Sequence, residues 1–274
     1  MQSNQNITII DGHNWMFKSF YGVSSSARTP GGIAVNAVYG FFALLRQISA
    51  AYPDNVIFVA FDSETGIADK LAEKSDYKSG RVINTDMFKQ LPIIKLILDK
   101  MKIAYVEHPK YEADDIIASV AAYWIKFGGR AIIASNDFDF VQMVSNNILL
   151  IRNVSGKLVN FDDKICVEKF GIHAAQYVDR TAICGDKSDH IAGVRGIGPK
   201  TAAGLLQKFG NLDGVLKNSE KLSRAKELAL GNRKFIGMNQ SIPIKEIWKR
   251  SPRPVSVDAV QTKVSVYLKE LGIE

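Results

Sequence analysis

Short apolar runs alternate with helical stripes through the first half of the chain. Residues 7–10, 56–61, 103–106, 131–134 and 148–151 are brief, rich in branched side chains and followed by polar residues, the pattern of strands buried on both faces. Between them, apolar residues recur three and four apart. Val38, Phe41, Phe42, Leu45 and Ile48 make one stripe; Leu91, Ile94, Leu98 and Met101 a second; Ile116, Ile117, Val120, Ala121 and Trp124 a third. Strand and helix in strict alternation predict an α/β fold with a mainly parallel central sheet flanked by helices.

Beyond about residue 174 the strand signal stops, and 200–209, 223–230 and 257–271 read as short helices joined by Gly and Asn. The expected organisation is therefore an α/β core over 1–174 and a helical unit over 175–274. Charge sharpens the division. The net charge of +7 is unevenly held: residues 1–186 carry 19 basic and 20 acidic side chains, and 187–274 carry 16 and 8. A basic segment of this kind suits a polyanion, since clustered Lys and Arg release counterions from phosphates. Two cysteines, Cys166 and Cys184, are too few for a disulfide framework and lack metal-ligand spacing, which fits a reducing cytoplasm. No run approaches the roughly 18 apolar residues of a membrane span.

Open parallel sheets place functional groups just beyond the carboxyl ends of their strands. Here those positions hold acids: Asp11 after the first run, Asp62 after the second, Glu112, Asp114 and Asp115 after the third, Asp137 and Asp139 after the fourth. Asp186 and Asp189 follow in Gly185-Asp186-Lys187-Ser188-Asp189. One such Asp is an ordinary turn or helix-cap residue; four strand ends in succession point to a shared cleft. Carboxylates crowded together raise one another's pKa unless cations neutralise them. An all-oxygen donor set selects Mg²⁺, or Mn²⁺ in its place, over zinc. A pair of such ions is a means of hydrolysing phosphodiesters.

The run Gly193-Val194-Arg195-Gly196-Ile197-Gly198-Pro199-Lys200-Thr201-Ala202 opens a helix. Its glycines let backbone amides approach a phosphate at the helix N-terminus, Pro199 suits the first turn, and Lys200 adds charge. No strand precedes it, so a helix-hairpin-helix contact to a DNA backbone is the better reading than a dinucleotide site. His13 and His108 read as turn or surface residues, and Trp15, Phe17 and Trp124 as core.

These motifs, with Ile10-Asp11-Gly12, Phe61-Asp62-Ser63, Tyr77-Lys78-Ser79-Gly80-Arg81 and Tyr111-Glu112-Ala113-Asp114-Asp115, stand in the order of the flap endonuclease family, and the chain resembles its bacterial and phage 5′-3′ exonucleases. The resemblance covers residues 7 to about 210. It implies a PIN-like core, a helix-three-turn-helix unit and a two-ion site on the nine acids. Asp11, Asp62, Glu112, Asp114 and Asp115 would surround one ion, and Asp137, Asp139, Asp186 and Asp189 the other. It further implies K⁺ held by the main-chain carbonyls of Ile183, Cys184, Ala192, Val194 and Ile197. An arch over about 64–91 would guide a free 5′ strand with Lys70, Lys74, Tyr77, Lys78 and Arg81. Lys78 would stabilise the reacting phosphate beside the catalytic Asp11, Asp62 and Asp137. Lys18, Gly196, Gly198, Lys200 and Thr201 would contact DNA. Four positions depart from the family pattern: Lys18 stands for Arg, Ala68-Asp69 for Phe-Arg, His190 for Asn and Ala192 for Pro.

The expectation is a monomeric 5′ nuclease acting on DNA with a free 5′ end or flap, in primer removal or repair beside a DNA polymerase. A flap-binding protein with little catalysis and a PIN-like ribonuclease are the alternatives.

Overall fold

The computed structural model describes residues 5–24, 26, 28–63, 85–248 and 250–273. At its centre is a mixed sheet ordered β3-β2-β1-β4-β5-β6, built from β1 (Ile7–Asp11), β2 (Val56–Phe61), β3 (Ala104–Glu107), β4 (Ala131–Ala134), β5 (Ile148–Val154) and β6 (Lys157–Phe161). The pairs β1–β2, β1–β4, β2–β3 and β4–β5 are parallel, and β5–β6 is an antiparallel hairpin at the edge. The predicted α/β class and mainly parallel sheet are borne out.

The strands read as unbroken apolar runs because both faces are covered. Along β2, Val56, Phe58 and Ala60 enter one core while Ile57, Val59 and Phe61 enter the other; β4 divides its residues in the same way. Helix α4 (Ala113–Lys126) covers the first face through Ile116, Ile117 and Val120. On the second lie α1 (Gly12–Gly22), α2 (Asn36–Ala51) and α3 (Leu91–Lys100), with Phe41, Leu45, Ile94 and Leu98 fully buried. Full burial of such a side chain contributes roughly 1.5–3 kcal/mol.

The first core continues into the helical unit: α5 (Asp163–Phe170), α6 (Tyr177–Cys184), α7 (Pro199–Phe209), α8 (Leu212–Asn218) and α9 (Lys226–Ile236). Three details differ from the sequence reading. A two-residue ribbon, β7 (Gly185–Asp186) with β8 (Ile191–Ala192), interrupts the helices. Residues 223–230 are not one helix, since Glu220–Ser223 ends before α9 begins. The last helix, α10 (Val257–Glu270), lies on the second core with Val260, Val264 and Leu268, after β9 (Arg253–Pro254) pairs antiparallel with β2. Its amphipathic stripe foretold a buried face but not which core would take it. Among the described residues no helix is long and apolar enough to cross a membrane.

Candidate active site at the carboxyl edge of the sheet

Strand order reverses around β1, with β2 on one side and β4 on the other, so the loops leaving these strands open a crevice at their carboxyl ends. Asp11 closes β1 and caps α1, accepting the Asn14 amide at 3.1 Å; Ser135, just past β4, donates its hydroxyl to Asp11 Oδ2 at 2.7 Å. Gly12 is dictated by contact, since a Cβ there would stand 2.4 Å from the Phe61 ring. Burial, opposed by these hydrogen bonds and aided by the nearby charges of Asp62 and Asp137, lifts the Asp11 carboxyl to about 7. Three strand ends thus deliver carboxylates to one electrostatic neighbourhood.

Asp62 is held from two sides. Its Oδ1 accepts the Ala113 amide at the start of α4 at 2.8 Å, and its own amide donates to His13 Nδ1 at 2.9 Å. His13 is therefore no surface residue. It is largely buried, set edge-on against Phe61 at 5.6 Å, and its pKa is lowered, chiefly by burial. Its neutral ring supplies the acceptor that Asp62 needs. Glu112 is buried immediately before α4.

Asp137 begins the 3₁₀ turn Phe138–Met143, accepting the Asp139 amide at 2.9 Å and donating its own amide to Ser135 Oγ at 3.1 Å. Asp139 shares a crevice with Asp114, Asp186 and Asp189, floored by Ile236 and Met238. Asp115 is turned to the Asn239 amide at 2.8 Å. Asp137 thus bears on Asp11 together with Asp62, and one crevice holds Asp114 with Asp139, Asp186 and Asp189. The charges of Asp137, Asp139 and Asp186 all bear on Tyr177, whose hydroxyl is pushed up mainly by burial. Among the described residues no three His, Cys, Asp or Glu side chains lie in metal-ligating geometry.

Gln142 is a residue the sequence reading passed over. Its Nε2 donates to the carbonyls of Asp139 at 2.9 Å and Ile236 at 3.3 Å, and its Oε1 accepts the Met238 amide at 3.0 Å. The acidic turn is thereby tied to the end of α9. A lone Gln in an apolar turn carries no signal in sequence.

In the glycine-rich loop, Gly196 takes φ +73°, a conformation suited to glycine, and Gly198 caps α7 with Pro199 in the first turn. Gly196, Gly198, Lys200 and Thr201 are all exposed, as is Lys18 on α1. Among the carbonyls named for K⁺, Ile183 accepts the Val194 amide at 2.8 Å, Val194 that of Ile197 at 3.0 Å, and Ala192 the side-chain amide of the buried Asn232 at 2.8 Å. Trp15 and Trp124 are buried, as expected, whereas Phe17 is exposed on α1 against Tyr21 at 4.7 Å between ring centroids. Cys166 is a buried thiol pushed to about 12 by burial. Lys70, Lys74, Tyr77, Lys78 and Arg81, with Ala68-Asp69, lie outside the described residues.

An acidic crevice at the switch point of a parallel sheet, flanked by a basic helical unit with an exposed helix N-terminus, is the layout of a metal-dependent nuclease. The chain belongs to the 5′-3′ exonuclease family: the family's N-terminal resolvase-like domain matches residues 6–171 and its C-terminal SAM fold matches 172–258. It is 36% identical over 219 residues to a 5′-3′ exonuclease of Aquifex aeolicus, covering 79% of this chain and 74% of that protein. It is 33% identical over 216 residues to DNA polymerase I of Mycobacterium tuberculosis, covering 77% of this chain but 24% of the polymerase, so it spans about a quarter of that relative. In fold it resembles the flap endonuclease of bacteriophage T5, crystallised with DNA and metal ions, with a TM-score of 0.71 at 17% identity over 97% of this chain and 98% of that one. With the family comes its activity: the chain is a 5′-3′ exonuclease.

Proposed function

We propose that the nine acids divide the work of a two-ion site, with Asp11, Asp62 and Asp137 nearest the reacting phosphate. The observation that carries this reading is Ser135 joining the buried Asp11 carboxylate to the Asp137 amide; burial and the charges of Asp62 and Asp137 push the Asp11 carboxyl up, a state that a bound cation reverses. The carboxylate donor set fits Mg²⁺, with Mn²⁺ as a substitute. When bound, such ions activate water and neutralise charge on the leaving oxygen. The chain's own part is to aim the carboxylates: Ser135 and Asn14 fix Asp11, His13 and the Ala113 amide fix Asp62, and Gln142 fixes the turn carrying Asp139.

The exposed start of α7, with Gly196, Gly198, Lys200 and Thr201, would hold the duplex backbone, supported by K⁺ on the carbonyls named above. Lys18 would add a phosphate contact. Tyr77, Lys78 and Arg81 would guide the 5′ strand, with Lys78 on the reacting phosphate. The cellular role that fits is removal of primers or damaged 5′ ends in the cytoplasm, as a monomer working beside a DNA polymerase. Cleavage of a 5′-labelled flap in Mg²⁺ tests this: short 5′ products support it, and absence of cleavage in Mg²⁺ and in Mn²⁺ refutes it.

A further inference from the structure

The turn bearing Asp137 and Asp139 is held by a guanidinium that the proposed chemistry does not employ. Arg152, on β5, donates Nη2 to the Asn136 carbonyl at 2.9 Å, and its guanidinium carbon lies 3.7 Å from the centroid of the Phe138 ring. Asn136 in turn accepts the Asn153 amide at 2.8 Å and donates its own amide to Asn14 Oδ1 at 2.9 Å. One arginine thus holds the residues on both sides of Asp137, through a single hydrogen bond to the Asn136 carbonyl and its flat face on the Phe138 ring.

The placement is costly. Arg152 Nε is buried with no hydrogen-bond partner, which is unfavourable because its lost water contact is not replaced. Burial lowers the Arg152 pKa while the charge of Asp137 favours its protonated form. Lys169 Nζ stands 5.1 Å from the same Phe138 ring, so a second positive charge gathers beside the turn. An apolar residue on β5 would cover Phe138 with no orphaned N–H. What it would lack is a planar donor that stacks on one residue while bonding the carbonyl two positions earlier.

We propose that Arg152 is a positioning residue for Asp137, fixing the 136–138 backbone so that the Asp137 carboxylate keeps its aim at the site shared with Asp11 and Asp62. This rests on the reading of those acids as metal ligands. Groups that orient a ligand in this way typically contribute 10–100-fold to metal affinity or activity.

The test compares Arg152→Lys, which keeps the charge, with Arg152→Met, which keeps bulk but neither charge nor fork. Mn²⁺ binding to the full chain is measured by calorimetry, with flap cleavage across Mg²⁺ concentrations, flap-DNA affinity in EDTA, and thermal unfolding. Both variants should bind Mn²⁺ about 10-fold more weakly and lose about 10- to 100-fold in kcat. Both should unfold cooperatively and keep their metal-free DNA affinity within about twofold, since the start of α7 is untouched. Parent-like Mn²⁺ binding and cleavage by Arg152→Lys would overturn the proposal, leaving only a charge effect. So would parallel loss of metal binding, DNA affinity and cooperative unfolding, the mark of a merely structural role. If the parent binds Mn²⁺ yet cleaves no flap, the nuclease reading fails while the calorimetry still decides the role of Arg152.

Discussion

The Ser135 hydroxyl donates to the buried Asp11 carboxylate at 2.7 Å while accepting the Asp137 amide at 3.1 Å, so one side chain joins two acids 126 positions apart in the chain. Ser135→Ala removes both bonds without adding bulk. It should lower stability by about 1–3 kcal/mol and weaken Mg²⁺-dependent cleavage by at least about 10-fold. Denaturant unfolding and a Mg²⁺ titration of the cleavage rate measure the two effects.

Asp11 links the site to stability. Its carboxyl titrates at about 7 in the folded chain against an ordinary 3.8, so its stabilising contribution is complete below about pH 3.8 and is lost as pH rises through about 7. In EDTA, Asp11→Asn should therefore melt higher than the parent at pH 8, with the gap closing towards pH 4, and it should not cleave DNA. Thermal melts across that window check the sign. A parent that gains stability relative to Asp11→Asn as pH rises would reverse it.

His13 receives the Asp62 amide and must be neutral to do so. Because burial lowers its pKa, the interaction holds above the ordinary His value and fails as pH falls through the lowered one. His13→Ala should reduce cleavage by about 10- to 100-fold while leaving flap binding in EDTA within about twofold. Single-turnover rates and a binding titration separate the two.

Gln142 makes three hydrogen bonds, one within the acidic turn and two across to the end of α9. Gln142→Ala should cost about 2–4 kcal/mol, because the Ile236 carbonyl and the Met238 amide lose their partner together. Urea unfolding gives the value.

Lys200 is exposed at the start of α7, where we propose a phosphate contact. Lys200→Ala should weaken DNA binding uniformly across sequences and lower the salt slope of log Kd by about 1, with Mn²⁺ affinity unchanged. Binding measured at a series of salt concentrations reads the slope directly.

What the sequence made legible follows from which signals are periodic. Strands β1, β2 and β4 stood out because burial on both faces forces unbroken apolar runs, and the acids stood out because they sit at the ends of those runs. Strand β6 was missed: four of its five residues are exposed or partly exposed, so Lys157–Phe161 lacks an apolar run. His13, Gln142, Asn232 and Ser135 were illegible for another reason. Each acts through a hydrogen bond to a group between 40 and 124 positions away, and nothing local marks a neutral side chain for that duty. His190 is an intermediate case. It stands where the family pattern has Asn, and its φ of +56° is a left-handed conformation that Asn and His adopt more readily than most residues.

The central claim is that acids from separate strand ends form one metal-dependent site for cutting DNA at a 5′ end. A 5′-labelled flap, incubated with the parent chain and with Asp137→Ala in Mg²⁺, tests it most directly. Short labelled products are expected from the parent and none from Asp137→Ala, with flap binding retained by both. Cleavage undiminished in Asp137→Ala, or absent from the parent in Mg²⁺ and in Mn²⁺ at every protein concentration, would contradict it.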